Sequence, residues 1–333
     1  MSQNDVLRLE KAGLYCPAGD FYIDPWAPVG RALITHGHSD HARVGHHTYV
    51  ATRASEPILR HRLGEIDVTP VRFGDTMNIG DALVSFHPAG HVLGSAQIRV
   101  EVDGKVWVVT GDYKREDDES CEAFELVPCD TLVTEATFAL PIYRWDPGER
   151  VVAEILSWWR DNRAQGTTSI LFCYALGKAQ RLLAELEPHV DGPVFLHGAM
   201  AAMVDIYRQS NRRLAPTALV ADQPKSEKFK GELVIAPPSA MGTTWMRRFT
   251  NPSTAFVSGW MRVRGQRRRR GYDRGFVLSD HVDWPDLLRT IEETGASRVL
   301  PTHGYTDILA RYLVERGLDA VPLETAFEGE SES

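Results

Sequence analysis

The sequence predicts an α/β fold with a partly parallel sheet, and three observations predict it. Short apolar runs recur along the whole chain and stop at Gly, Pro or polar residues. In the second half they alternate with segments of helical spacing, the pattern of strands joined by crossover helices. Histidines and carboxylates fall just beyond the ends of these runs, where loops at one edge of a rigid sheet assemble sites.

The first third is strand-rich. Phe21–Asp24 and Ala32–Thr35 are short apolar runs closed by polar residues, and Leu83–Phe86, Ala96–Val102 and Lys105–Thr110 carry β-branched and aromatic side chains that suit a pleated surface. Asp103-Gly104, between the last two, marks a hairpin, because a two-residue turn of this type needs positive φ at both positions. Leu132–Thr134 is a further strand ending at Glu135. Val151–Asn162 and Lys178–Leu186 have helical spacing, the second after the strand-like Ser169–Cys173. Pro193–Leu196, Leu233–Ala236 and Thr254–Val257 are short apolar runs, and Phe276–Leu278 precedes a helix over Pro285–Thr294. Arg298–Pro301 leads into a His-Gly turn, Thr306–Arg316 is a last helix, and Glu328–Ser333 has the composition of a disordered tail. There is no internal repeat.

With 333 residues, 43% hydrophobic and 25% charged, the chain suits one large domain or two smaller ones with a sizeable core. The first residues lack a signal peptide's basic start and apolar run, and no apolar stretch reaches the roughly 20 residues of a membrane helix. A soluble, cytoplasmic protein without a membrane partner is expected. Cys16, Cys121, Cys129 and Cys173 form no CxxC pair and read as reduced, structural thiols; sequence leaves open whether Cys121 and Cys129 meet. The net charge of −8 argues against a protein coated in nucleic acid. The segment Arg262–Arg274 runs the other way, with Arg262, Arg264, Arg267, Arg268, Arg269, Arg270 and Arg274 opposed only by Asp273. Local fields of that kind matter more than the total.

Thr35-His36-Gly37-His38-Ser39-Asp40-His41 is the strongest chemical signal, with four donors in six residues. Neutral imidazoles and carboxylates are preferred zinc ligands, and a tight turn can aim His36 and His38 at one ion and Asp40 and His41 at its neighbour. One histidine alone is more often a core or surface residue; four clustered donors after an apolar strand point to metal. Distant residues must complete the shells. Pro88–Ser95 offers His91 in a glycine-bounded loop, Thr110-Gly-Asp112 offers a carboxylate, and Pro301-Thr-His303-Gly304 offers another imidazole. Each is weak by itself, since an Asp after Gly is usually a turn residue. With the cluster they complete two sites.

The order His36-x-His38-x-Asp40-His41, His91, Asp112, His303 resembles the metallo-β-lactamase pattern. Within that superfamily the chain resembles the β-CASP nucleases, whose further motifs match Glu135 in Thr134–Thr137, His281 in Ser279–His281, and His303. The inserted domain's hallmark is matched by Ala175-Leu-Gly-Lys178-Ala-Gln180. More narrowly, Tyr15–Asp20, Gly111–Lys114 and Ser258-Gly-Trp-Met261 with the adjacent arginines resemble the bacterial DNA ligase-associated exonucleases, over about Gly13 to Asp319. The resemblance implies an αββα sandwich made of residues 1–150 and 255–333, with a β-CASP α/β cap inserted over 151–254. It implies that His36, His38 and His91 hold one zinc and Asp40, His41 and His303 the other, with Asp112 bridging; Mn²⁺ can replace Zn²⁺ where carboxylates help coordinate. Asp24 matches a supporting position in the first motif, although a turn role fits it equally from sequence.

Two zinc ions ~3.5–4 Å apart activate a water between them and clamp both oxygens of an in-line displacement. Asp40 then orients the attacking water. The leaving 3′ oxygen needs a proton, for which His281 is the candidate; the resemblance puts Glu135 beside it to orient it. A 5′-phosphate and a 3′-hydroxyl are the implied products. The arginines and Lys178 would supply phosphate contacts, against the plainer reading of a charge run as a solvated face. Lys114 reads as a further contact or a surface residue, and Trp145, Trp245 and Trp260 as core more than base-stacking residues. Three rivals stand beside a DNA repair exonuclease working with a ligase and a helicase. A small-molecule hydrolase would not need the insert, the Glu135–His281 pair or the arginines. An inactive scaffold would have lost ligands. An RNA-processing enzyme of the same fold is favoured by a histidine at position 303.

Overall fold

The computed structural model describes residues 5–263 and 271–324. Arg264, Arg267, Arg268, Arg269, Arg270 and the acidic tail lie outside the described residues. Two compact units account for the rest: one from residues 5–117, 121–144 and 281–324, the other from 118–120 and 145–280.

The first unit contains two sheets. In one, β1 (Arg8–Glu10), β2 (Gly13–Cys16), β3 (Phe21–Ile23), β4 (Arg31–Leu33), β5 (Thr48–Thr52) and β6 (Val68–Val71) lie in sequence order, antiparallel as far as β3 and parallel from there on. In the other, β7 (Thr76–Ile79), β8 (Ala82–Pro88), β9 (Ala96–Val102) and β10 (Lys105–Val109) form an antiparallel meander. It continues in parallel with β11 (Thr131–Ala136), β18 (Arg298–Gly304) and β19 (Asp319–Ala320). Asp103 and Gly104 take φ of 50° and 75° at the β9–β10 turn, as their sequence requires.

Strand side chains alternate between faces, and one face of each sheet meets the other. Leu14, Cys16, Phe21, Ile23 and Leu33 share a single apolar core with Val84, Phe86, Ile98, Val100 and Trp107. The outer face of the first sheet packs Ala32, Ile34, Tyr49 and Ala51 against Leu59 of α1 (Glu56–Leu63). The outer face of the second packs Val108, Leu132 and Val299 against Leu287 and Ile291 of α5 (Trp284–Thr294) and Leu309 and Leu313 of α6 (Thr306–Val314). The order is helix, sheet, sheet, helix, each fully buried aliphatic side chain contributing about 1.5–3 kcal/mol. Asp283 caps α5 by accepting from the Asp286 N–H at 3.0 Å, and Gly295 ends it in the left-handed region.

The second unit is a wholly parallel six-stranded sheet in the order β14 (Thr217–Leu219), β13 (Val194–Leu196), β15 (Leu233–Ala236), β12 (Ser169–Phe172), β16 (Ser253–Val257), β17 (Arg274–Phe276). With it run α2 (Gly148–Ala164), α3 (Lys178–Leu186) and α4 (Ala201–Gln209). The central strands β12 and β15 are buried at every position, which is why they read as unbroken apolar runs. This unit does not stop at 254 as the sequence suggested. β16 pairs with β12, and β17 pairs with β16, so the ladder carries the unit on to residue 280.

All four cysteines are buried thiols rather than disulfide partners. Among the described residues no helix is long and apolar enough to cross a membrane.

Where β18 ends, the pairing with β11 jumps from Glu135↔Thr302 to Ala136↔Gly304. Gly304 has φ 80°, and a Cβ there would lie 2.5 Å from the Ala136 carbonyl oxygen and 2.7 Å from Thr137 Cα. At Gly104, φ 75°, a Cβ would meet nothing within 4 Å. Gly104→Ala should therefore cost only backbone strain, about 1–2 kcal/mol. Gly304→Ala should add overpacking and lose about 2–5 kcal/mol in all. Denaturant midpoints of the two variants check the order.

Candidate metal centre

The centre forms at one edge of the first unit because strand ends deliver its parts. The chain leaves β4 through Ile34 and Thr35 into the His36–His41 loop, leaves β8 into the loop of His91, and leaves β10 at Asp112. Glu135 sits in β11 itself, and His303 is the extra residue at the irregularity where β11 and β18 change register. A bulge re-aims a side chain, and His303 adopts φ 56° to make the turn, a conformation that residues with a Cβ seldom take.

Asp24 ties the ligand loop to the sheet. Its Oδ1 accepts from the Thr35 N–H at 2.8 Å, while Oδ2 accepts from Thr35 Oγ1 at 2.5 Å and lies 2.7 Å from His41 Nδ1. A carboxylate at Nδ1 fixes the proton there and turns Nε2 toward a metal. Thr35 Oγ1, its proton given to Asp24, lies 3.1 Å from His36 Nδ1 and can do the same for that ring. Arg62 of α1 donates to the Gly37 carbonyl inside the loop. Sequence reading missed both supports. Thr35 directly precedes the cluster and could have been suspected, whereas Arg62 lies 25 residues away and carries no local signal.

Two donor groups result. His36, His38, His91 and Asp112 bring ligand atoms within 4.8 Å of one another, as do His41, Asp112 and His303. In the first, His38 Nδ1 lies 3.1 Å from His36 Nε2 and 3.0 Å from His91 Nε2, and Asp112 Oδ2 lies 3.6 Å and 3.8 Å from the same two nitrogens. Asp112 Oδ1 faces the second group, 3.5 Å from His41 Nε2, and Asp40 Oδ2 lies 3.7 Å from that nitrogen. Ligand bonds of about 2.0–2.1 Å around a tetrahedral ion put donors roughly 3.3 Å apart, so these spacings fit one ion per group with Asp112 between them.

Glu135, His281 and Asp112 also approach closely, but this trio needs no ion. His281 Nδ1 is 2.9 Å from Glu135 Oε2, an ordinary hydrogen bond, and Glu135 Oε1 accepts from the Tyr113 N–H at 2.7 Å. His281 Nδ1 lies 3.9 Å from Asp112 Oδ2, next to the candidate ligands.

Burial dominates the electrostatics. It pushes the Asp112 carboxyl up to about 7 against the pull of His41, and burial together with the His41 cation holds His303 down to about 3. His36 is lowered by burial and by its neighbouring imidazoles. At His41 burial acts downward too, but Asp112, Asp40 and the hydrogen bond to Asp24 outweigh it and raise the ring to about 10. Asp40, also buried, is kept low by His41, His38 and His303. So dense a set of buried donors matches divalent cations, which neutralise carboxylates and take imidazole lone pairs at once.

The expected phosphate contacts fare differently. Lys178 is not at the surface: it is 3% exposed, with Nζ 2.8 Å from Asp280 Oδ1, and Lys114 is buried as well. Arg262 is partly exposed and lies 3.4 Å from Asp146. Trp245 and Trp260 pack against the core of the second unit, and Trp145 is half-buried.

Comparison with models of known protein families gives no match. The chain is 33% identical to a "Probable DNA ligase" of Opitutus terrae over 92% of its own length and 30% of that protein's. It is 23% identical to "Endoribonuclease YSH1" of Mycosarcoma maydis over 84% of the chain and 41% of the relative. It is 27% identical to "Ribonuclease TTHA0252" of Thermus thermophilus over 59% and 51%. The chain thus covers between about a third and a half of each of these relatives. Its fold resembles the crystal structure of a protein of unknown function from Enterococcus faecalis V583, with TM-score 0.60 at 12% identity over 90% of this chain and 80% of that one. The named nucleases point to the metallo-β-lactamase/β-CASP nucleases that the motifs resemble.

Two outcomes are expected of the centre. Asp24→Asn, which cannot accept from both Thr35 Oγ1 and His41 Nδ1, should weaken metal binding roughly 10- to 100-fold in competition with a chromophoric chelator. Protein stripped with EDTA should melt lower than protein reloaded with Zn²⁺ or Mn²⁺. Free metal at 100 times its dissociation constant should add about 2.7 kcal/mol, read by calorimetry.

Proposed function

We propose that this chain is a two-metal nuclease of the metallo-β-lactamase/β-CASP family, hydrolysing phosphodiester bonds in DNA as a repair exonuclease alongside an ATP-dependent ligase and a helicase. The observation that carries the nuclease reading is the junction of two elements at Asp112. A dinuclear donor set shares that carboxylate, and the His281–Glu135 pair adjoins it at 3.9 Å. A small-molecule hydrolase has use for the first element but not for the second.

Two ions held there would supply an activated water and neutralise charge on the phosphoryl oxygens. Asp40 orients the attacking water from the open side of the second donor group. His281 delivers a proton to the leaving oxygen, and Glu135, itself fixed by the Tyr113 N–H, holds the ring by Nδ1 so that Nε2 is the donating edge. Arg262 and its neighbouring arginines supply phosphate contacts along the strand.

Support for DNA comes from the Opitutus relative. A region similar to nearly all of this chain is there part of a longer polypeptide named as a DNA ligase, which ties the domain to DNA ends. The second reading, an RNA-processing nuclease, is favoured by the similarity to two proteins named as ribonucleases and by His303.

Purified protein loaded with Zn²⁺ or Mn²⁺ should shorten single-stranded DNA labelled at either end stepwise, with Asp40→Ala as the blank. His281→Ala should lower kcat roughly 10²- to 10⁴-fold while keeping its metal. Preferential cutting of matched RNA would move the protein to RNA processing. Failure to cut either strand with both metals bound would overturn the nuclease reading in favour of a small-molecule hydrolase.

A further inference from the structure

We infer that Arg181 and Lys178, acting on Ser279 and Asp280, are positioning residues for His281. The inference rests on the assignment of His281 as proton donor made above. Both cations stand on the first turns of α3, three residues apart and so on one face. Gln180 fixes that end of the helix, its side chain accepting from the Gly177 N–H at 2.7 Å and donating to the Ala175 carbonyl at 2.9 Å. Arg181 Nη1 donates to the Ser279 carbonyl at 2.6 Å and lies 3.5 Å from Asp280 Oδ1, which Lys178 Nζ meets at 2.8 Å. Arg181 Nε also faces Asp118 Oδ2 at 3.7 Å. Arg181, Lys178 and Asp280 are 1%, 3% and 6% exposed.

A buried clamp of this kind is poorly explained by stability. Desolvating two cations and their acids costs several kcal/mol per ion, and well-packed apolar replacements are often neutral or stabilising. What such a clamp does supply is fixed geometry. Its strongest contact is to a backbone carbonyl two residues before His281, and on the other side the Val282 N–H donates to the Tyr113 carbonyl at 2.7 Å. The backbone carrying His281 is thus held on both flanks, and its ring can keep the 2.9 Å bond to Glu135. A shift of about 1 Å at a reacting group can cost ~100-fold in rate.

The test compares wild type, Arg181→Met, the isosteric Asp280→Asn, and His281→Ala as reference. Each is assayed on a single-stranded oligodeoxynucleotide, whose leaving alkoxide needs a proton, and on bis(p-nitrophenyl) phosphate, whose leaving group does not. In both clamp variants the ratio of oligonucleotide to ester kcat should fall roughly 10- to 100-fold, in the same direction as in His281→Ala and with KM little changed. Independently of activity and metal, the hydrogen-bonded Nδ1–H proton of His281, assigned by its loss in His281→Ala, should broaden or shift in the NMR spectrum of ¹⁵N-histidine-labelled Arg181→Met. An unchanged ratio and an unchanged resonance in folded variants would overturn the proposal, as would equal losses on both substrates. Wild type inactive on the oligonucleotide would instead overturn the nuclease reading, while the resonance would still report on the clamp.

Discussion

The three bonds of the Asp24 carboxylate are the constraint on which the centre depends. One buried side chain accepts from Thr35 N–H, Thr35 Oγ1 and His41 Nδ1, fixing where the ligand loop starts and which way two of its imidazoles turn. A lone pair and a proton are interchangeable on a free imidazole; a carboxylate at Nδ1 removes that freedom and leaves Nε2 for the centre. Without the bond, His41 would be a buried ring of undecided tautomer among carboxylates.

The same economy appears at Glu135 and His281. Glu135 takes the Tyr113 N–H on one oxygen and His281 Nδ1 on the other, so the strand that carries the acid and the turn after Asp112 set the ring together. The clamp of Arg181 and Lys178 on Asp280 extends this control to the preceding backbone. Each polar side chain near the centre is oriented by a partner that is itself held. That is how buried charges are tolerated and how reacting groups are kept in place without loops having to find them.

Strand ends make this affordable in conformational terms. A sheet fixes the direction of each chain as it leaves the ladder, so a histidine or aspartate one or two residues on is placed without a long ordered loop. Where regular pairing would aim a side chain wrongly, the register breaks, as at His303 and Gly304.

The sequence by itself determined the α/β class, the hairpin at Asp103-Gly104, most of the longer strands and helices, and the donor cluster at His36–His41. All of these are written in periodicity or in adjacent residues. It also pointed to His91, Asp112, Glu135, His281 and His303 through their positions after apolar runs. It did not reveal α1, whose buried apolar contacts reduce to Ile58 and Leu59, nor β5, β6 and the other short strands that neighbours stabilise. Tertiary structure alone decided that the second unit continues through β16 and β17, because strand pairing is non-local. It decided as well that Lys178 is a buried partner of Asp280 and not a surface cation. A charge declares its sign in sequence, but its partner and its distance from water are set only when segments a hundred residues apart are packed together.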